Sequence, residues 1–278
     1  MGELLLGIDI GGSVIKAAVF NVAGELVGHS SVRSVVKADA PGYAERDPEV
    51  MWKSASAAIR EILEIDGIRS DQIVAVGVTG FGNGLFLVDE NSKPTRSGFA
   101  SIDTRAAQIV GEWRREGFEE LAWDQTFQTF WSGQALPIIE WVRRNDPESL
   151  RRARRILSSK DMLRSFLTGD SWNERSDLGS GGLFAPDKAL PAYELFHSVG
   201  LGMVADLLPP DGIAHPAEVV GYVSQSAAAI TGLKERTPVV AGVTDNLAVM
   251  IGSGTYNSDQ VSVVGGTLGI NQVLSKSH

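Results

Sequence analysis

Two aspartates at strand ends and two glycine turns carry most of the chemistry that this sequence can do. The first turn lies in Gly7-Ile8-Asp9-Ile10-Gly11-Gly12-Ser13-Val14-Ile15-Lys16. It is not a P-loop, because no Gly-Lys-Ser/Thr follows at the required spacing. Nor is it a dinucleotide fingerprint, because a strand rather than a helix follows the glycines. Gly11 and Gly12 in a hairpin let backbone N–H groups approach an anion, and Ser13 adds a hydroxyl donor. Asp9 offers the hard oxygen that Mg²⁺ prefers, and Lys16 has the reach to meet a transferring phosphate. The competing reading is an ordinary β-turn with a turn-stabilising Asp and a surface Lys.

The second aspartate ends Val239-Val240-Ala241-Gly242-Val243-Thr244-Asp245-Asn246. An acid at the carboxyl end of an apolar strand is held rigidly at a sheet edge. A sugar hydroxyl has a very high pKa, so its phosphorylation needs a carboxylate within hydrogen-bond reach to take the proton. Asp245 suits that role and that of a second Mg²⁺ carboxylate; it also suits a helix N-cap, and the two readings are compatible. A further strand-end turn, Gly265-Gly266-Thr267, repeats the glycine-plus-hydroxyl pattern.

Positioning these groups requires a sheet. The apolar pattern predicts three consecutive antiparallel strands over 4–10, 13–21 and 26–35, then a helix over 48–65 with Asp47 as N-cap and Pro48 at its first position. Strands follow at 72–78 and 84–88, helices at 106–114, 136–144 and 161–167, and a Ser/Gly/Asp-rich loop at 173–188. The segment 191–199 reads as a helix and Leu207-Leu208-Pro209-Pro210 as a linker or turn. Strands at 219–223, 238–241 and 260–264 and helices at 227–233 and 246–251 complete the pattern. Three strands followed by alternating helices and strands argue for an α/β fold with a mixed sheet flanked by helices.

Composition excludes several classes. The 278 residues carry a net charge of −9, which disfavours nucleic acid as a partner. The basic run from Arg143 to Arg155 is interrupted by Asp146 and Glu148 and reads as a solvated helix face. There is no cysteine, hence no disulfide and no thiolate metal site. No apolar run approaches the roughly 20 residues of a membrane helix, and the N-terminus lacks the features of a signal peptide, so a cytoplasmic protein without membrane contact is expected. His29, His197, His215 and His278 show no ligand spacing.

Several segments together resemble the FGGY carbohydrate kinases. They are Asp9-x-Gly-Gly-Ser, Pro41-Gly42-Tyr43-Ala44-Glu45-Arg46-Asp47-Pro48 before Trp52, Asp103-Thr104-Arg105, Asp161-Met162-Leu163 with Leu167-Thr168-Gly169, Gly242-x-x-Asp245-Asn246, and Gly266-Thr267. They occur in the family's order along the whole chain. The resemblance implies an actin-like, ribonuclease-H-like ATPase fold, with residues 1–244 as the N-terminal domain bearing the sugar site. It implies that 245–278 open a second, nucleotide-binding domain that continues further in other members. It implies ATP and Mg²⁺ as cofactors, a small sugar or polyol as substrate, and a homodimer as a candidate assembly.

By the same resemblance Asp245 is the catalytic base and Asp9 the Mg²⁺-linked acid, while Gly11, Gly12, Ser13, Lys16, Gly266 and Thr267 hold phosphates. Phe81, Gly82 and Asn83 match the sugar-contacting loop, and Asp103 and Asn246 fall in motifs that line the substrate. Trp131 either stacks on an apolar sugar face or serves as a core aromatic. Gly82-Asn83 in place of Met-His, and Ser101 in place of a Trp, set the chain apart from the commonest pentulokinase form. Its 84–89 and 128–133 segments resemble the L-xylulose kinase branch, with erythritol kinases next. A non-catalytic actin-like ATP-binding protein would use the same phosphate turns without needing a base or a sugar loop.

Overall fold

A computed structural model describes residues 2–265 and 269–275. Its central sheet contains β1 (Leu4–Ile10), β2 (Val14–Asn21), β3 (Leu26–Arg33), β4 (Ile73–Gly80), β5 (Val219–Tyr222) and β6 (Pro238–Val240). The spatial order is β5-β6-β4-β1-β2-β3. Strands β1, β4 and β6 are mutually parallel, β1-β2-β3 form an antiparallel meander, and β5 runs antiparallel to β6. The mixed sheet is therefore as expected. Its register sets Asp9 opposite Lys16 on β2 and opposite Thr79 on β4.

Alternation along the strands explains which face is covered. Leu4, Leu6, Ile8 and Ile10 of β1 and Ile15, Ala17 and Val19 of β2 turn to one side and are buried. Helices α1 (Pro48–Leu63), α6 (Ser159–Thr168) and α9 (Gln225–Thr231) pack there through residues such as Met51, Ala55, Ile59, Met162, Leu163 and Ala227. The start of α1 is as its sequence predicts: Pro48 opens it and the Asp47 carboxylate accepts from the N–H groups of Glu49 and Val50. The opposite face is paved by small residues, Gly7, Ala18 and Gly77. It forms the floor of a groove of about 460 Å³ that runs to Asp9, Lys16 and Thr79.

Between β4 and β5 the chain builds a second core from α2 (Ala107–Arg115), α3 (Phe118–Thr126), α4 (Ala135–Asn145), α5 (Pro147–Arg152), α7 (Arg175–Ser180) and α8 (Tyr193–Ser198). Phe99, Trp113, Ile138, Phe196 and Leu208 lie at its centre. Three sequence expectations change here. The 173–188 segment is not all loop: it contains α7, started by the Glu174 side chain, which accepts from the N–H groups of Ser176 and Asp177. A helix of 6 residues is too short to display a hydrophobic period, so composition alone made it look irregular. Leu207 and Leu208 are buried in this core rather than exposed in a linker. Helices α3 and α5 lie between the predicted helices, parted from the preceding ones by breaks of two residues and one that the pattern did not separate. The basic run holds to its reading, with Arg143 and Arg144 both paired to Glu140 on α4.

Helix α10 (Asp245–Gly252) follows β6, and β7 (Val261–Gly265) pairs with β8 (Gly269–Val273). Val261, Val263 and Val273 on this hairpin are exposed.

Candidate active site

The Gly11-Gly12-Ser13 turn is shaped from beneath. Gly11 N–H donates to the Val14 carbonyl at 3.0 Å, and a Cβ on Gly11 would lie 2.7 Å from that oxygen, so only glycine fits. The Arg46 guanidinium, 1% exposed, donates to the carbonyl oxygens of Gly11 (3.0 Å) and Gly12 and to Ser34 Oγ (2.5 Å). Burial lowers its pKa to about 10, still far above neutrality, so it remains a cation. In a trans peptide C=O and N–H point opposite ways. Drawing both carbonyls down to Arg46 therefore turns the N–H groups of Gly12 and Ser13 upward, where both residues are exposed. The result is a small anion cradle.

At its edge Lys16 Nζ sits 3.3 Å from Asp9 Oδ2, an exposed and therefore weak pair. The other carboxylate oxygen, Asp9 Oδ1, is buried and has no partner.

Asp245 follows β6, on the other side of β4 from β1, and the charge of Asp9 acts on it from there. The chain leaves β6 at Gly242, where φ is +77° and a Cβ would lie 1.9 Å from the Val78 carbonyl oxygen. Thr79 Oγ1 then donates to the Val243 carbonyl at 2.7 Å, Gly80 bridges Thr244, and Thr244 N–H donates to Ser176 Oγ at 3.2 Å. The N-cap position belongs to Thr244, so Asp245 is the first helical residue rather than the cap. Its carboxylate accepts from Asn246 N–H at 2.7 Å. Burial pushes the Asp245 carboxyl above the usual carboxylate range and the negative charge of Asp9 adds to this, opposed by N–H groups of Asn246 and Gly82.

The loop after β4 passes directly under Asp245. Asn83 at φ 65° and Gly84 at φ 74° both adopt the left-handed conformation, and Gly84 N–H donates to the Gly133 carbonyl at 2.9 Å. That bond brings the Trp131 turn beside the loop, with Trp131 at 41% exposed rather than filling a core.

Not every expected residue lines this cleft. The ring of Phe81 is buried in the main core, 5.0 Å beneath the Arg46 guanidinium, so only the backbone of 81 belongs to the loop surface. Asp103 is fully buried. It accepts from Ala44 N–H (2.7 Å) and from the guanidinium of Arg105, which in turn stacks on Tyr43. Its carboxylate braces the 43–46 segment that carries Arg46, and does not face the cleft. Asn246 is half-buried at the start of α10. Gly266, Thr267 and His278 lie outside the described residues.

Sequence reasoning missed two groups. One is Arg46. The other is a buried charged cluster beneath the loop: Lys160 Nζ lies 2.7 Å from Asp161, 2.9 Å from Asp177 and 3.4 Å from Glu174, and Arg164 lies 2.8 Å from Asp161. Burial pushes Asp177 up to about 6. Asp161 is also raised by burial, but Lys160 and Arg164 outweigh this and hold it below the usual range. Arg164 donates to the Ala241 carbonyl at 2.6 Å, tying the cluster to the strand that presents Asp245. A strand-end acid can be seen in a one-dimensional pattern, whereas Arg46 is 35 residues from the Gly11 carbonyl and Arg164 is 77 from that of Ala241.

Two nearby carboxylates, one with a buried unpartnered oxygen, fit Mg²⁺, which takes one or two carboxylates and keeps several waters. Among the described residues no group of three or more His, Cys, Asp or Glu is gathered that could hold a metal by itself.

A mixed sheet of this order, flanked by helices, is the α/β fold of solved carbohydrate kinases. The solved xylulose kinase from Lactobacillus acidophilus superposes with TM-score 0.87 at 20% identity, covering 96% of this chain and 53% of that one. That from Rhodospirillum rubrum gives 0.83 at 25% identity, covering 94% and 53%. The family model of FGGY carbohydrate kinases, N-terminal domain, matches residues 4–252, and the chain belongs to that family.

Among relatives, the L-xylulose/3-keto-L-gulonate kinase of Escherichia coli (strain K12) is 32% identical over 278 residues, which are 99% of this chain and 55% of that protein. A probable L-xylulose kinase of Pasteurella multocida is 34% identical, covering 94% and 54%. The chain thus spans about half the length of the relatives it matches. Among the described residues no helix is long and apolar enough to cross a membrane.

Proposed function

We propose that the chain is the sugar-binding, N-terminal part of an ATP-dependent kinase that phosphorylates a hydroxyl of a small sugar or polyol, with a pentulose such as L-xylulose favoured over erythritol. One observation carries this reading. The charge of Asp9, at the end of the strand that runs into the Gly11–Ser13 turn, acts on Asp245, and the Gly82 N–H meets the Asp245 carboxylate, which supports a single site built from these groups. A base, a metal-linked acid and an anion cradle are what in-line phosphoryl transfer to an alcohol needs.

In this reading the sugar lies on the loop with Trp131 against its apolar face. Asp245 accepts the proton of the attacking hydroxyl as its oxygen bonds to the γ-phosphorus and the bond to the ADP oxygen breaks. Burial and the charge of Asp9 raise the Asp245 carboxyl, which makes it a better base than a solvated carboxylate. Gly12 N–H, Ser13 N–H and Lys16 hold the phosphate charge where it develops. Asp9, with Asp245 and water, would hold Mg²⁺, which supplies charge neutralisation between the phosphates. Residues 245–278 begin the nucleotide-binding half, with Gly266 and Thr267 as the second phosphate turn. Closure of the two halves would exclude water, the competing acceptor.

The test is an assay of the full-length protein with MgATP against L-xylulose, other pentuloses, 3-keto-L-gulonate and tetritols. ADP release that depends on one of these sugars and is lost in Asp245→Asn supports the proposal. ATP binding with assembly, and no sugar-dependent turnover, would support a non-catalytic actin-like protein instead.

A further inference from the structure

Beneath the Asn83 loop lies a cavity of about 20 Å³, lined among others by Asn83, Ser158, Asp161, Asn173 and Asp177. That is room for one occupant the size of a water. Four side-chain oxygens of its lining are buried without a partner: Asn83 Oδ1, Asp161 Oδ2, Asn173 Oδ1 and Asp177 Oδ1.

The rest of each buried group is already committed. Asp161 Oδ1 takes Lys160 at 2.7 Å and Arg164 at 2.8 Å, and Asp177 Oδ2 takes Ser158 Oγ at 2.8 Å and Lys160 at 2.9 Å. Asn173 Nδ2 donates to the Ile156 carbonyl at 2.7 Å, which fixes its oxygen as the end left free. The single hydroxyl proton of Ser158 is used on Asp177.

Unpartnered buried acceptors are costly, and four around one small space call for an occupant that satisfies several at once. A water donates two hydrogens and leaves the others unmet. A cation is not limited to two acceptors. Charge points the same way: Asp161, Glu174 and Asp177 carry three negative charges against the two positive charges of Lys160 and Arg164, so the buried network lacks one positive charge. A divalent ion would overcompensate. It would also face the Lys160 ammonium across shared carboxylates, with two of its four ligands being neutral amides.

We propose that this cavity is a monovalent-cation site, holding an ion of Na⁺ or K⁺ size on the free oxygens of Asn83, Asp161, Asn173 and Asp177. The ion closes the charge balance of the network and pins Asn83 in its left-handed conformation. Its effect on sugar binding, through that loop, rests on the proposed kinase function; the site itself does not.

Thermal unfolding of the full-length protein at fixed ionic strength tests it, with NaCl or KCl exchanged for choline chloride, whose cation is too large to enter. A saturable rise of several degrees with Na⁺ or K⁺ is expected, as for any ligand of the folded state. Asp177→Asn should flatten the response and Asn83→Ala should shift its midpoint to higher salt. Should Asp177→Asn fail to fold, crystals of the unaltered protein soaked in Rb⁺ or Tl⁺ decide, with an anomalous peak in the cavity expected. Identical unfolding in all three salts, with no such peak, means that the cavity holds water only and overturns the proposal. Cation-specific stabilisation without any sugar phosphorylation would leave the site standing and refute the kinase reading.

Discussion

Arg46→Met removes the support of the phosphate turn while keeping most of the side-chain bulk. The guanidinium makes three hydrogen bonds, to the Gly11 and Gly12 carbonyls and Ser34 Oγ, and it stacks over Phe81. Bonds from a charged donor are worth about 1.5–3 kcal/mol each, so the three together contribute roughly 5–9 kcal/mol. Against this stands the burial of the cation. A fall from 12.5 to about 10 corresponds to roughly 3 kcal/mol at 1.36 kcal/mol per unit, which the Met variant would regain. The difference is a destabilisation of roughly 2–6 kcal/mol. Urea unfolding of the full-length protein reads this as a lower midpoint with unchanged slope. Under conditions where the variant stays folded, the KM for MgATP should rise and kcat fall, with the sugar KM little altered. Arg46→Lys, which keeps the charge but loses the planar fork, should recover part of the stability and little of the turnover. A wild-type midpoint together with a wild-type KM for MgATP in Arg46→Met would refute the idea that this residue holds the turn.

Asp245→Asn should fold normally and lose on the order of 10²–10⁴ in kcat, as removal of a general base does; coupled ADP release measures it. The acid limb of kcat/KM should lie above the ordinary Asp range, because burial and Asp9 both disfavour the charged Asp245. Activity requires the deprotonated form, so the rate rises with pH through that limb, and Asp9→Asn should move it to lower pH in its residual activity. Gly242→Ala places a Cβ 1.9 Å from a carbonyl oxygen at φ +77° and should cost about 3 kcal/mol or more, seen as a lower unfolding temperature. Trp131→Ala should raise the sugar KM and leave the MgATP KM alone. Because the ring is exposed, stability should change by no more than about 0.5 kcal/mol, checked by the same melt.

What could be read from the sequence was what is local. The β1–β2 hairpin, its Gly11-Gly12-Ser13 turn and the cap of α1 at Asp47 are each encoded within a few residues, and each formed where the pattern placed it. Asp245 was visible because an apolar strand ending in Gly and an acid is a local event. Its pairing with Asp9 came from the family resemblance and not from spacing, since it depends on β4 lying between β1 and β6. Phe81 and Asp103 show the converse limit. Both sit in segments that resemble sugar-contacting motifs, yet one packs under Arg46 and the other braces Arg105, so both act through the residues beside them.

A short motif therefore marks a segment more reliably than it marks which side chain in that segment meets the ligand. The division here is chemically consistent. Apart from Lys16 and Trp131, the groups assigned to the cleft are small or acidic. The large cations Arg46, Arg105, Lys160 and Arg164 lie beneath, each bonded to backbone carbonyls or carboxylates that fix the cleft's floor. Burying four cations is costly unless their donors are used, and here each is used on a segment that presents a site residue. Arg46 holds the turn, whereas the separate network of Lys160 and Arg164 against Asp161, Glu174 and Asp177 lies under Asn83 and carries the acid excess there.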